Sequence, residues 1–322
     1  MRAIQYARTG GPEVLELVEV EKPAPGPGQV LIRHEAIGIN FIDTYLRSGL
    51  YPSPLPARPG GEAAGVVEAV GDGVTRFKAG DRVATAAAAG SYAEYSVAPA
   101  EKAVAIPDGV DFRTAAAAML KGLTVEFLLR RLHTVQPGET ILFHAGAGGV
   151  GQIAIQWAKA LGAQVITTVG SEAKAARVRE LGADHVILYR DQDVAAEVRR
   201  ITGGKGVPVA YDSVGKDTFE GTLGSLAKRG LFVSFGNASG PPPPVGAARL
   251  MRAGSLMFTR PTLNDFQLTV EEYDASAAAL FEVLASGKVE IEIGQTFPLA
   301  DARKCHEALE ARATVGASLL IP

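Results

Sequence analysis

The stretch FHAGAGGVGQ (143–152) carries Gly146, Gly148 and Gly151 at the spacing G-x-G-x-x-G. This pattern suits a pyrophosphate. One glycine allows a tight turn, one lets the backbone approach the ligand, and one lets a helix pack closely on a strand. Free amides at the helix start, together with the helix dipole, attract the anionic oxygens. In a chain with 37 glycines the spacing alone is weak. Its context strengthens it: an apolar strand, TILFH (140–144), leads into the loop, and an amphipathic helix, GQIAIQWAKALG, leaves it. The predicted phosphate-binding backbone is Gly146, Ala147, Gly148, Gly149, Val150 and Gly151.

A fold of this kind that reads a ribose 2′-hydroxyl carries an acid about 20 residues on, at the end of the next strand. Here that strand is QVITTV (164–169), and Gly170 and Ser171 stand at its end. Glu172 lies one step further, where an acid in the first turn of a helix capped by Ser171 has a local explanation. An acid would repel a 2′-phosphate; a small residue, a hydroxyl and Lys174 would accept one. The expected cofactor is therefore NADPH rather than NADH. The alternative for Lys174 is a solvated helix residue.

The elements around these residues change texture along the chain. Up to about residue 110 short runs, QVLIRHEAIGI (29–39), AAGVVEAV (63–70), DRVATA (81–86) and YAEYSV (92–97), alternate with Gly, Pro and Asp turns, as in an antiparallel sheet or partly open barrel. DFRTAAAAML and TVEFLLRRL read as two helices. From residue 140 strands alternate with helices: QVITTV, HVILY (185–189), PVAYD (208–212), LFVSF (231–235) and SLMFT (255–259) are strands. EAKAARVRELG, DVAAEVRRITG and TFEGTLGSLAKRG are the helices between most of them. Six strands with intervening helices make the doubly wound pattern of an α/β domain. After about residue 261 the rhythm ends in a helix, a strand-like run, a second helix and a terminal strand.

With 322 residues, 47% hydrophobic and 21% charged, the chain reads as a globular protein of about two domains. A net charge of −3 gives no reason to expect nucleic acid as a partner, and no run of 18 apolar residues suggests a membrane span. The first twenty residues are charged throughout, so no secretory signal is expected. One cysteine, Cys305, excludes an internal disulfide or a C-x-x-C site, and a cytoplasmic setting is expected.

The chain resembles the medium-chain dehydrogenase/reductase superfamily, and within it the zinc-independent quinone oxidoreductases, the group that includes ζ-crystallin. It is most similar to the bacterial NADPH:quinone reductases. The carrying stretches are AIGINFIDTYLRSGLYP (36–52), RPGGEAAGVV (58–67), AAAAMLKGLTVEFLLRR (115–131), HAGAGGVGQIAIQWAKALGA (144–163), YDSVG (211–215) and SFGNASG (234–240). The resemblance implies a GroES-like, partly open β-barrel catalytic domain over 1–122 and a Rossmann, doubly wound parallel-sheet cofactor domain over 123–261. It also implies that 262–322 returns to the catalytic domain, and that the protein forms a homodimer through its Rossmann sheets. Zinc alcohol dehydrogenases of the superfamily carry Cys where this chain has Asn40 and His where it has Gly61, and neither replacement ligates zinc. The five histidines, at 34, 133, 144, 185 and 306, show no ligand spacing, so no metal is expected.

Without a Lewis acid, the acceptor should be one that takes hydride readily: a quinone or, alternatively, an activated alkene such as an enone, enoyl thioester or haloacrylate. Negative charge then appears on an oxygen, where a hydrogen-bond donor would stabilise it. The resemblance places Asn40, Tyr45 and Tyr51 at the cleft beside the nicotinamide, and Tyr51 corresponds to a tyrosine that related enoyl thioester reductases use near their substrate. Both tyrosines could instead be packing aromatics, while Asp43 reads as a capping or loop-fixing residue rather than an acid catalyst. For the cofactor, the resemblance sets Thr124 and the backbone of Phe235 and Gly236 at the nicotinamide half, with Asn40 and Ser239 in the same set. Lys174, Tyr189 and Arg312 would surround the 2′-phosphate, and Arg260 would face the cleft. For Arg312 the alternative is an arginine satisfying helix-end carbonyls. A nucleotide-holding, RNA-associated role is the non-enzymatic reading, and the mild acidity counts against it.

Overall fold

A computed structural model describes all 322 residues. They form two compact units: Met1–Leu123 with Thr269–Ala285 and Ile291–Pro322, and Thr124–Leu268 with Ser286–Glu290. No helix is long and apolar enough to cross a membrane.

The first unit opens with an antiparallel ribbon, β1 (Arg2–Gln5) and β2 (Glu16–Glu19), which the sequence reading did not single out. β3 (Gln29–Gly38), α1 (Phe41–Ser48), β4 (Glu62–Val70), β5 (Arg82–Thr85), β6 (Tyr95–Pro99) and β7 (Ala103–Ala105) follow. β3 pairs with β4 through two register shifts, at Leu31/Ile32 and His34/Ala36, and such bulges bend a strand and curl its sheet. Its other edge takes β6 at Gln29–Arg33. Val30, Ile32, Val67 and Val83 fill the space between these strands, each worth about 1.5–3 kcal/mol on burial.

α2 (Phe112–Glu126) starts at Asp111, whose carboxylate accepts the Thr114 N–H at 2.8 Å. The two helices expected here are one, and a wide π-type turn continues it through Phe127–Leu132. Gly122, between the two stretches, packs closely: a Cβ there would lie 2.3 Å from the Leu280 side chain.

The second unit alternates β8 (Thr140–Phe143), α3 (Gly149–Ala160), β9 (Gln164–Val169), α4 (Glu172–Glu180), β10 (His185–Leu188), α5 (Val194–Ile201), β11 (Val207–Asp212), α6 (Phe219–Ser225), β12 (Leu226–Ser234), α7 (Ala247–Arg252) and β13 (Met257–Thr259). The six strands are parallel, in the order β10–β9–β8–β11–β12–β13. This is the Rossmann order, and its direction reverses between β8 and β11, where such folds bind ligands beyond the strand ends. One expectation is corrected: the helix predicted through AKRG stops at Ser225, and β12 begins at Leu226. Arg229 takes a left-handed φ of 64°, which a helix cannot contain.

The chain then returns to the first unit as α8 (Val270–Ala285), β14 (Ile293–Pro298), α9 (Ala302–Glu310) and β15 (Ala317–Ile321). β15 pairs with Ile37 and Gly38 of β3, completing a seven-stranded, mostly antiparallel sheet. Leu299, Cys305 and Leu320 from this return pack with Ile4, Tyr6 and Ile37 in one core.

Candidate active site

The glycine loop sits beyond β8, at the switch point of the parallel sheet. Gly148 is the exposed N-cap of α3, and no side chain caps that helix end. The first amides of a helix have no intrahelical acceptor, so they are available to an anion. A Cβ on Gly151 would lie 2.4 Å from the Ala145 carbonyl oxygen and 2.7 Å from Gly146 Cα, which makes Gly151 the close-packing glycine. Gly146 has a different role from the expected one. The left-handed residue of the turn is Ala145, at φ 57°, and Gly146 is needed because a Cβ there would lie 2.2 Å from Thr167 Oγ1. Ala147, Gly149 and Val150 belong to the same turn and first helical turn.

Beneath the loop lies a buried network that sequence reading missed. Thr168 Oγ1 accepts the Ala145 N–H at 3.2 Å and lies 3.0 Å from His144 Nδ1. His144 Nε2 lies 2.9 Å from Thr222 Oγ1, which donates to Asp212 Oδ2 at 2.7 Å. The single hydroxyl hydrogen of Thr222 goes to an acceptor, so His144 must donate from Nε2 and accept at Nδ1. Asp212 also accepts from Val214 N–H, Gly215 N–H and Thr218 Oγ1. Burial lowers the His144 pKa, and Asp212 partly offsets this. The network ties the ends of β8, β9 and β11 to α6 and holds the strained Ala145 turn. The only local signal for it was the pair of polar residues, His144 and Asp212, at the ends of apolar strands.

At the end of β9, Ser171 caps α4 and accepts the Lys174 N–H at 3.4 Å. Gly170 stands beside Tyr189: a Cβ there would lie 2.8 Å from the Tyr189 hydroxyl. Lys174 and Tyr189 are half-buried, and Glu172 turns to Arg179 at 3.5 Å. The structure therefore brings together Gly170, Ser171, Lys174 and Tyr189 on adjoining segments. Phe235 N–H donates to Asp212 O at 2.8 Å, and a Cβ on Gly236 would lie 2.4 Å from Ser213 O, so both follow the switch-point strands closely. Ser239 Oγ donates to Val214 O and accepts the Asp217 N–H, which gives it a loop-fixing role in the same region. Thr124 is half-buried in α2, and Arg260 is exposed just after β13.

Arg312 lies in the first unit and ends α9 in the left-handed conformation, φ 56°. Its N–H donates to Leu309 O at 3.1 Å and Ala313 N–H donates to Ala308 O at 3.1 Å, the Schellman pattern that glycine normally serves.

In the first unit, Asn40 is the N-cap of α1; its Nδ2 donates to Glu62 Oε2 at 2.8 Å, and its N–H donates to Asp43 Oδ2 at 2.9 Å. Asp43 is buried, accepts the Tyr92 hydroxyl at 3.0 Å, and is pushed up to about 7 by burial against these hydrogen bonds. It fixes α1 and the loop around it. Tyr45 is 8% exposed and meets Tyr51 edge to face at 5.4 Å between ring centroids. Glu62, wholly buried, also accepts Lys121 Nζ at 2.9 Å and the Leu120 N–H at 2.6 Å. Neither Glu62 nor Lys121 was singled out from the sequence.

Comparison with known proteins adds the following. Residues 26–108 match the family described as alcohol dehydrogenase GroES-like domain, and residues 149–282 the one described as zinc-binding dehydrogenase. A quinone oxidoreductase of Pseudomonas aeruginosa is 54% identical over 100% of this chain and 99% of its own length. A 2-haloacrylate reductase of a Burkholderia species is 44% identical, over 98% and 97% respectively. The solved structure of Escherichia coli quinone oxidoreductase complexed with NADPH superposes with a TM-score of 0.98, at 49% identity, over 100% of both chains.

Proposed function

This chain belongs to the quinone oxidoreductases of the medium-chain dehydrogenase/reductase superfamily, and from that premise we propose how it reduces quinones with NADPH. The observation that carries the reading is the uncapped start of α3, with Gly148 exposed and Gly151 seating the helix against its turn. The amides of Gly149, Val150 and Gly151 bind the pyrophosphate, assisted by the helix dipole. Gly170, Ser171, Lys174, Tyr189 and Arg312 receive the 2′-phosphate. Thr124, Phe235, Gly236, Ser239 and Arg260 are proposed for the rest of the dinucleotide. When bound, NADPH supplies the hydride.

The chain's own contribution to the chemistry is hydrogen bonding to the acceptor. Asn40, Tyr45 and Tyr51 are proposed as the donors that stabilise negative charge on the acceptor oxygen, each well-placed donor being worth about 3 kcal/mol. No metal takes part in this reading. Gly61 has no side chain, the Asn40 amide nitrogen is a donor engaged by Glu62, and no three His, Cys, Asp or Glu side chains gather as a ligand group. The 2-haloacrylate reductase relative favours activated alkenes as secondary acceptors. We place the enzyme in the cytoplasm and as a homodimer. For the dimer, β13 is an edge strand of the parallel sheet, and Met257 on it is 54% exposed.

Titration with NADPH and NADH, followed by nicotinamide fluorescence, tests the cofactor reading. Tight NADPH binding with far weaker NADH binding is expected. Equal affinities would contradict the 2′-phosphate subsite.

A further inference from the structure

Three hydrogen bonds from two helices converge on the Glu62 carboxylate, at the first residue of β4: one from Asn40, the N-cap of α1, and two from α2, through the Leu120 N–H and Lys121 Nζ. Glu62 has no exposed surface and Lys121 is 5% exposed. The neighbouring strand makes room for it, because Gly38 pairs with Glu62 and a Cβ there would lie 2.1 Å from Oε2. A buried ion pair adds little net stability, since the cost of desolvating two charges roughly cancels their attraction. Fixing one conformation is a better reason for such a cluster.

We propose that Glu62 is a positioning residue for Asn40, with Lys121 as its counter-charge. This rests on the reading of Asn40 as a donor to the acceptor oxygen. A carboxylate only accepts hydrogen bonds. It therefore admits one of the two amide orientations of Asn40, with Nδ2 toward Glu62 and Oδ1 away. The second Nδ2 hydrogen is then held in one direction before negative charge arrives, which is the condition for electrostatic catalysis without reorganisation. The Leu120 N–H on Oε1 keeps the carboxylate from turning. Lys121 cancels its charge, so that no net anion stands behind Asn40 as the acceptor becomes negative.

The test uses steady-state kinetics with NADPH and 1,4-benzoquinone, and thermal denaturation, on Asn40→Ala, Glu62→Gln, Lys121→Met and two combinations. Asn40→Ala should lower kcat about 100- to 1,000-fold. Glu62→Gln offers the amide both a donor and an acceptor, so it should lower kcat to a similar degree while leaving the KM for NADPH unchanged. Combining it with Asn40→Ala should bring no further loss. Lys121→Met strands a buried carboxylate and should be slower than the neutral pair Glu62→Gln/Lys121→Met. That pair also carries the test if Glu62→Gln alone proves unstable. Wild-type kcat in Glu62→Gln and in the neutral pair, or losses that add to those of Asn40→Ala, would overturn the positioning role. Wild-type kcat in Asn40→Ala would instead remove Asn40 from the mechanism, a distinct failure of the underlying reading.

Discussion

Gly170 and Tyr189 stand so close that a Cβ on the glycine would lie 2.8 Å from the tyrosine hydroxyl. A side chain at position 170 would have to push the Tyr189 hydroxyl aside, and Gly170 leaves that hydroxyl at the end of β9. What borders that turn is a hydroxyl, a second hydroxyl on Ser171, and Lys174 one helical turn on. Removing the Lys174 ammonium should cost one charge-assisted contact of about 1.5–3 kcal/mol, a 10- to 150-fold weaker NADPH Kd. NADH, which lacks the phosphate, should bind Lys174→Ala as it binds the wild type. Equal losses for both cofactors would refute the assignment.

Arg312 occupies a position where glycine is cheaper. A left-handed non-glycine residue costs about 1 kcal/mol. The proposed contact with the 2′-phosphate is made by the Arg312 side chain, independently of this backbone conformation. Arg312→Gly should raise Tm while weakening NADPH, two effects of opposite sign from one substitution. A stabilised variant with unchanged NADPH affinity would leave Arg312 as a helix terminator only.

Gly151→Ala tests the loop itself. The added methyl meets backbone atoms of Ala145 and Gly146, which cannot move aside as a flexible side chain would. Overpacking of this kind costs about 1–3 kcal/mol, and it should lower both Tm and NADPH affinity. Calorimetry and a fluorescence titration on the same sample check both; a fully stable variant with wild-type affinity would show that the loop tolerates a wider turn.

Much of this was legible along the chain because it is local. The alternation of apolar strands and helices from residue 140 announced the parallel sheet, and FHAGAGGVGQ its loop. What escaped depends on partners distant in sequence. Glu62 looks ordinary between a glycine and two alanines; its meaning comes from Asn40, 22 positions away, and Lys121, 59 positions away. His144 was read only as one of five histidines without ligand spacing, and no spacing rule links it to Thr222. α1 escaped for another reason: it is only eight residues long, and three of the residues it buries, Asp43, Thr44 and Arg47, are polar. Asp43, read as a capping or loop-fixing residue, accepts the N–H of Asn40, the N-cap. The AKRG segment misled because polar residues after a helix suggest its continuation, whereas the left-handed Arg229 turns them into a strand.

Buried histidines set the acid limit of the fold. Burial pushes His34 down to about 4, and burial together with Arg47 pushes His306 down to about 3. The unfolded chain binds protons at these rings near pH 6.5, so their contribution is complete above that pH and is lost as pH falls toward 4. Asp43, raised to about 7 from 3.8, works oppositely: the folded state holds its proton through that window, and this contribution is lost as pH rises. The histidines outnumber it, so stability should fall from pH 6.5 to 4. His34→Gln should flatten the slope by about 1.4 kcal/mol per pH unit, one proton's worth. An unchanged slope in urea denaturation would show that His34 is not the group responsible.

Tyr51 packs against Tyr45, and its N–H donates to the Tyr45 carbonyl at 3.1 Å, so losing the hydroxyl alone should leave the backbone in place. Tyr51→Phe should lower turnover with little change in NADPH affinity. An unchanged kcat would remove Tyr51 from the chemistry.

This chain reduces quinones with NADPH. NADPH oxidation should be followed with 1,4-benzoquinone, an enone and crotonyl-CoA in parallel, with NADH as control. Rapid, NADPH-selective turnover with the quinone is expected, with slower turnover of the alkenes. A protein that binds NADPH tightly yet leaves every acceptor unreduced would contradict it.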